Sequence, residues 1–311
     1  MNGKIESIQR EIKKAVSGKD EVIEQVLTAI LAGGHILLED IPGVGKTTLA
    51  LSISKALGLK FGRVQFTPDV VPSDITGFSI YDKASQTFSY KDGAVMTNFF
   101  LADEINRTSS KTQSALLQVM QEGVVTVDGV SHKVPQPFIV MATQNPVGTA
   151  GTQMLPEAQL DRFMIKISMG YPDADAQVEI LKQREKVDPI ESIQAVTTEE
   201  EILAMREEVK NLFVDEKIYR YITSLCEASR ENEYIKLGIS PRGALSIANM
   251  AKANAYIEGR DYITPEDVKK IFPASTRHRI ILSPKAGAKE REGDSLIMEI
   301  LDAIKAPKLD Q

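Results

Sequence analysis

Leu37-Leu38-Glu39-Asp40-Ile41-Pro42-Gly43-Val44-Gly45-Lys46-Thr47-Thr48 decides the fold of this chain. It reads as an apolar strand, a glycine-bearing turn and the start of a helix, with Lys-Thr at the junction. That order builds a phosphate cradle, because N–H groups of the turn and the helix N-terminus converge on one point where the helix dipole favours an anion. Lys46 would reach the β- and γ-phosphates, and the Thr47 hydroxyl would hold Mg²⁺. The pattern G-x-x-x-x-G-K-[ST] asks for glycine where Asp40 stands, while Gly45-Lys46-Thr47 is intact. A chance Gly-Lys-Thr in a surface turn would look the same, so the downstream residues decide between the two.

A phosphate loop needs a carboxylate-bearing strand beside it. Phe99-Phe100-Leu101-Ala102-Asp103-Glu104 supplies one, about 55 residues further on. An open parallel sheet binds ligands beyond the carboxyl ends of its strands, which is where these acids fall. Asp103 would act on Mg²⁺ and Glu104 would orient or deprotonate an attacking water. Ile139-Val140-Met141-Ala142-Thr143-Gln144-Asn145-Pro146 is another buried strand with polar residues at its end. Asn145 fits a sensor of the γ-phosphate or the lytic water; in isolation, Asn-Pro is also a plain turn. In Glu157-Ala158-Gln159-Leu160-Asp161-Arg162-Phe163, Arg162 precedes a short strand. An arginine donated to a neighbour's γ-phosphate contributes about 10³–10⁵ in rate, though alone it could equally be a surface ion-pair partner. Ser240-Pro241-Arg242 puts a second arginine in the first turn of a helix. A cation opposes the dipole there, which suggests an anionic ligand or partner.

The rest of the chain fits a strand–helix alternation followed by helices. Ile5, Ile8, Ile12, Ala15 and Val16 recur at helical spacing, and a second helical pattern runs from Asp20 to Ile30. A helix over 47–57, a strand over 61–66, a helix over 109–121 and a strand over 137–142 follow. Val124–Val127, Asp128-Gly129 and Val130–Val134 read as a hairpin with a type I′ turn. This predicts an α/β class fold with a parallel sheet between helices. The composition changes near 188–196. Thr197 or Thr198 with the glutamates after it, Ser240-Pro241 and Thr264-Pro265 are helix starts. A nucleotide-binding domain over 1–190 and a helical one over 191–311 are expected.

With 311 residues the chain is long enough for two cores at roughly 100–200 residues each. Its net charge of −6 and the lack of a basic, aromatic-laced tract argue against nucleic acid as the partner. One cysteine, Cys226, cannot form an internal disulfide, and its apolar neighbours Ile222 and Leu225 mark it as buried filler. There is no His/Cys cluster of zinc type. The N-terminus lacks a signal-peptide apolar stretch, and no apolar run approaches the ~18 residues of a membrane span. A cytoplasmic protein is expected.

Taken in order, these blocks resemble the AAA+ ATPases, and specifically the MoxR family. The resemblance rests on Gly33–Gly43, Leu101-Ala102-Asp103-Glu104-Ile105-Asn106-Arg107, Met120-Gln121-Glu122-Gly123, Ala142-Thr143-Gln144-Asn145-Pro146, Glu157–Phe163 and Ser240-Pro241-Arg242. It covers about residues 16–280. It implies a P-loop α/β/α core with a C-terminal all-helical lid, and an ATPase that uses ATP and Mg²⁺. Asp40, Pro42, Gly43, Val44, Gly45, Lys46, Thr47 and Thr48 would form Walker A, with Asp103 and Glu104 in Walker B. Asn145 would be sensor 1, Arg162 the arginine finger and Arg242 sensor 2, acting in cis or in trans. Gly18, Val22 and Ile23 would lie near the adenine. Residues 78–93 match a helix-2 insert and 124–134 a hairpin before sensor 1, both facing a central pore in related ATPases. Arg107 would act across a subunit interface or form a surface ion pair. Lys19 stands where the family often has Gln, and Arg277-His278-Arg279 is a family tail motif or a solvated basic patch. The family implies a ring, usually a hexamer, and a chaperone-like role in maturing client proteins or inserting a cofactor or metal. A partner with a von Willebrand factor A domain would be a separate chain, since no D-x-S-x-S motif occurs here. The rival readings are a nucleotide-gated scaffold, a nucleic-acid motor and a small-molecule kinase.

Overall fold

The phosphate-loop stretch lies inside a five-stranded parallel sheet in the computed structural model, which describes residues 2–84, 86–145, 155–183 and 188–309. Numbered along the chain, the strands are β1 (Ile36–Glu39), β2 (Phe61–Gln65), β3 (Gly77–Asp82), β4 (Thr87–Asp92), β5 (Phe99–Asp103) and β6 (Val124–Val127). They continue with β7 (Val130–Lys133), β8 (Ile139–Gln144), β9 (Ile165–Ile167), β10 (Ile235–Leu237) and β11 (Ile281–Leu282). The main sheet has the order β2-β5-β8-β1-β9. In register, Leu38 lies opposite Thr143, Ala102 opposite Ala142, and Gln65 opposite Asp103.

The central strands β1, β5 and β8 are buried on both faces and read as continuous apolar runs, while the edge strand β2 is half-exposed. Alternate residues feed two different cores. Ile36, Leu38, Phe99, Leu101, Ile139, Met141, Ile165 and Ile167 point to one side, where Leu49, Ala50 and Ile53 of the helix Lys46–Ala56 pack on them. Leu37, Phe100, Ala102, Val140 and Ala142 point to the other, against Leu116, Leu117, Val119 and Met120 of the helix Ser110–Glu122. This is the expected α/β/α sandwich. The first core continues without a break into the C-terminal helices through Ile202, Met205, Ile222, Leu225, Ile247 and Ile297. Cys226 is part of it; burial pushes its thiol up to about 11, so it is inert filler as expected.

The helix starts expected in the lid form where the sequence puts them. Thr198 rather than Thr197 caps Glu199–Lys210, in a capping box with Glu201. Ser240 caps Pro241–Ile257, and Thr264 with Asp267 caps Pro265–Thr276. The lid is helical apart from one short antiparallel pair, in which Ile235 lies opposite Leu282. Two further antiparallel hairpins, β3–β4 and β6–β7, are separate from the main sheet. The second turns at Asp128-Gly129, both with positive φ, as a type I′ turn requires.

Candidate active site

The loop from β1 to the helix Lys46–Ala56 closes on Gly45, the N-cap, whose φ of 97° lies where only glycine sits without strain. Lys46 folds back over the loop. Its ammonium donates to the carbonyls of Asp40 at 2.7 Å and Ile41 at 3.3 Å. Burial lowers its pKa, while the carboxylates of Asp40, Asp103 and Glu104 act in the opposite direction. The lysine thus stands in the field of both candidate acids, and the two nucleotide motifs meet here.

At the end of β5 the acids are held by β8. The buried Thr143 hydroxyl donates to Asp103 Oδ1 at 2.6 Å and accepts the Glu104 N–H at 2.8 Å. Asp103 Oδ2 takes the guanidinium of Arg63, on β2, at 2.7 Å. Glu104 has φ 56° and ψ 48°, a left-handed conformation that is costly for a side-chain-bearing residue and is typical of functional sites. Its carboxylate accepts from Arg107 at 2.8 Å and from Asn145 Nδ2 at 3.2 Å. Burial alone would raise its pKa, but these two donors outweigh burial and lower it, so Glu104 is ionised at neutral pH. Asn145 Oδ1 and Asn106 Oδ1 are buried there without a hydrogen-bond partner. Unpartnered acceptors of this kind suit a bound water or a hydrated cation. With the Thr47 hydroxyl and Asp103, the donors are hard oxygens, which fit Mg²⁺.

Beside the loop lies a cleft of about 260 Å³. Gly43, Val44, Gly45 and Thr48 form its floor, Ala15–Ser17 and Lys19 one wall, and Met169, Tyr171 and Pro172 the other. Gly18 is beside this first wall, with positive φ, and a Cβ there would stand 2.7 Å from that of Ala176. Ile23 is fully buried in the core and Val22 packs against it; neither is among the cleft's lining residues. Asp40 turns away from the cradle, its carboxylate accepting from residues 168–170.

Arg162 and Arg242 are both absent from this cleft. Arg162 lies against its own chain, donating to the Leu117 carbonyl at 2.8 Å, with its Nε buried and unpartnered. Arg242 is exposed in the first turn of Pro241–Ile257. Asp161, next to Arg162 in the chain, is tied to the helix that bears Arg242: one carboxylate oxygen accepts from Ser240, the cap of that helix, at 2.9 Å, and the other from Arg279 at 2.8 Å.

Comparison with known proteins agrees with this geometry. The model of the "ATPase family associated with various cellular activities (AAA)" matches residues 35–165, and that of the "AAA lid domain" matches 227–300. The chain is 40% identical to Chaperone MoxR1 of Mycobacterium tuberculosis over 96% of its own length and 81% of the relative's. The chain belongs to the MoxR family of AAA+ ATPases. It is also 45% identical to the uncharacterized protein YeaC of Bacillus subtilis, over 95% of this chain and 92% of that one. Its fold matches the crystal structure of an ATPase candidate from Cytophaga hutchinsonii with a TM-score of 0.90 and 38% identity, covering 98% and 95% of the two chains.

Within that MoxR frame, several residues that sequence reasoning left aside prove structural to the site. Thr143 and Arg63 hold Asp103, and only the spacing of Thr143 within Ala142–Asn145 hinted at it. The solvated-patch alternative for Arg277-His278-Arg279 does not hold. His278 and Arg279 are buried, with Arg279 donating to Asp161, Met164, Phe163, Ser246 and Ser275. This tail pins the segment after Arg162 to the lid. Arg107 pairs with Glu104 inside its own subunit. The two hairpins touch through Tyr90 and His132, stacked at 3.8 Å, and Tyr81 packs on Phe88 at 5.2 Å on the exposed tip. Pro146 and residues 147–154 lie outside the described residues. Among the described residues, no helix is long and apolar enough to cross a membrane.

Proposed function

We propose that this MoxR-family chain is a Mg²⁺-dependent ATP hydrolase whose active sites are completed by neighbouring subunits in a ring. The observation that carries the catalytic reading is the convergence of Lys46, Asp103, Glu104 and Asn145 at the carboxyl ends of β1, β5 and β8. Walker A N–H groups and Lys46 bind the β- and γ-phosphates, with Gly43, Val44, Gly45 and Thr48 beneath them. Thr47 and Asp103 hold Mg²⁺, which screens phosphate charge when bound. Glu104, ionised and oriented by Asn145, takes the proton of the water that attacks the γ-phosphorus, and the bond to the bridging oxygen breaks to release ADP and phosphate. The cleft between 15–19 and 169–172 takes the adenine.

The arrangement of the arginines supports the ring. Arg162 donates to the Leu117 carbonyl of its own chain and Arg242 is exposed, and among the described residues neither is hydrogen-bonded to Lys46, Asp103, Glu104 or Asn145. On this reading Arg162 acts in trans as the finger, and Arg242 is sensor 2, in cis or in trans. A head-to-tail contact of this kind closes into a ring, here a hexamer by family habit. The exposed β3–β4 hairpin, with Phe78, Ile80, Tyr81 and Phe88 on its surface, faces the pore and grips a client protein. The name of the relative Chaperone MoxR1 supports a chaperone-like role; the family resemblance adds client maturation or cofactor or metal insertion, a cytoplasmic location and a separate von Willebrand factor A domain protein as partner.

Substituting Glu104→Gln separates binding from chemistry. It keeps ATP binding and lowers turnover by about 10²–10⁴, the range for loss of a general base. Unchanged turnover would rule Glu104 out as the base. A second reading, the nucleotide-gated scaffold, draws on the guanidinium partners of both acids, Arg63 on Asp103 and Arg107 on Glu104. It requires that wild type and Glu104→Gln hydrolyse ATP equally slowly.

A further inference from the structure

We infer that Asp40 is a positioning residue that ties the phosphate loop to the adenine wall of the cleft. The inference rests on the nucleotide reading above and deepens it. Asp40 occupies the first glycine position of the generic motif, where a side chain facing the ligand would crowd it and a carboxylate would repel a triphosphate. The structure turns that side chain the other way. Asp40 is 6% exposed, and one carboxylate oxygen accepts three donors: Ser168 Oγ at 3.0 Å, the Gly170 N–H at 3.1 Å and the Met169 N–H.

Those donors belong to the segment that leaves β9 and forms the far wall of the cleft, through Met169, Tyr171 and Pro172. The backbone of Asp40 faces the opposite way. Its carbonyl accepts from the Lys46 ammonium at 2.7 Å, and its N–H donates to Gln144 at the end of β8 at 3.2 Å. One residue therefore joins the phosphate-binding lysine, the sensor strand and the adenine wall. The wall is fixed a second time where Lys19 donates to the Tyr171 carbonyl at 2.9 Å. Met169 closes the gap, its methyl 3.9 Å from where a Cβ on Gly45 would stand. Glycine at position 40 would free two backbone N–H groups, of which Met169's lies in a buried residue, and would let the wall move relative to the loop.

The consequence is counter-intuitive. Asp40→Gly makes the sequence match the generic P-loop, yet it weakens nucleotide binding. The test is calorimetric titration of wild type, Asp40→Gly, Asp40→Asn and Ser168→Ala with ADP and, separately, with inorganic pyrophosphate. Asp40→Gly is expected to lose roughly tenfold or more in ADP affinity, with pyrophosphate affinity changed much less, since only ADP uses the wall. Asp40→Asn keeps an acceptor oxygen in place and retains most ADP affinity. Ser168→Ala loses one of three donors and costs about threefold. ADP affinity in Asp40→Gly equal to or above wild type would overturn the latch, as would an equal loss for both ligands. Should Asp40→Gly fail to melt cooperatively, the same ADP-selective loss in Ser168→Ala, against retention in Asp40→Asn, decides. Wild-type protein that binds no ADP would instead overturn the nucleotide reading itself.

Discussion

At the scale of single residues, the site depends on hydrogen bonds that hold charges in place. Thr143 is the clearest case, because one hydroxyl serves Asp103 as donor and the Glu104 N–H as acceptor. Thr143→Val keeps the shape and removes both bonds. It should cost about 1–3 kcal/mol of stability, the penalty for unsatisfied buried polar groups, and should lower turnover more than ATP affinity. Thr143→Ser should restore most of both; steady-state kinetics and urea melts on the two variants check this. His35 carries a different kind of prediction. Its Nδ1 accepts the Val140 N–H and its Nε2 donates to the Met120 carbonyl, and burial drops its pKa from 6.5 to about 4. The unfolded chain therefore binds the proton more readily, so stability falls as pH drops from 6.5 towards 4, by up to about 3 kcal/mol. Buried His278, also held neutral by desolvation, adds to the slope. Urea midpoints at about pH 7.5 and about pH 5 should differ less in His35→Gln than in wild type. The motif residues were legible in the sequence because their chemistry needs fixed types at fixed spacing. Thr143, Arg63 and His35 were not, because their roles arise from strand pairing that brings residues from β1, β2, β5 and β8 together.

At the scale of elements, the strands of the main sheet and the capped helices followed from apolar runs, caps and turn residues, and Asp128-Gly129 named its hairpin outright, whereas the short pair β10–β11 in a lid expected to be all-helical did not. What the pattern could not supply was the meeting of remote elements. Arg277-His278-Arg279 looks like a basic surface tract in one dimension, yet the helix Pro265–Thr276 carries its last two residues under the segment 161–164. Asp161 then links that segment to Ser240 and the helix bearing Arg242. Arg279→Lys cannot reproduce five donors in a planar fork. The variant should bind nucleotide normally and lose most turnover, because Arg162 and Arg242 lose their shared anchor; normal turnover would separate the lid tail from catalysis. The β3–β4 tip does not line the cleft, so Tyr81→Ala with Phe88→Ala should leave basal ATPase within about twofold, as expected for surface positions away from the site. Loss of nucleotide binding in that double variant would show that the hairpin supports the cleft instead of serving a client.

At the scale of the whole molecule, the P-loop and its acids lie at one site while Arg162 and Arg242 are bonded elsewhere or exposed. On the proposed reading, two neighbours share each site. The direct measurement mixes two impaired variants, Glu104→Gln and Arg162→Ala, each expected alone to keep only a small fraction of wild-type turnover. Sharing predicts that the mixture regains activity, because a Glu104→Gln subunit still lends Arg162 to a neighbour whose Glu104 is intact. A mixture as inactive as its components, under conditions where the two variants co-assemble, would contradict the account.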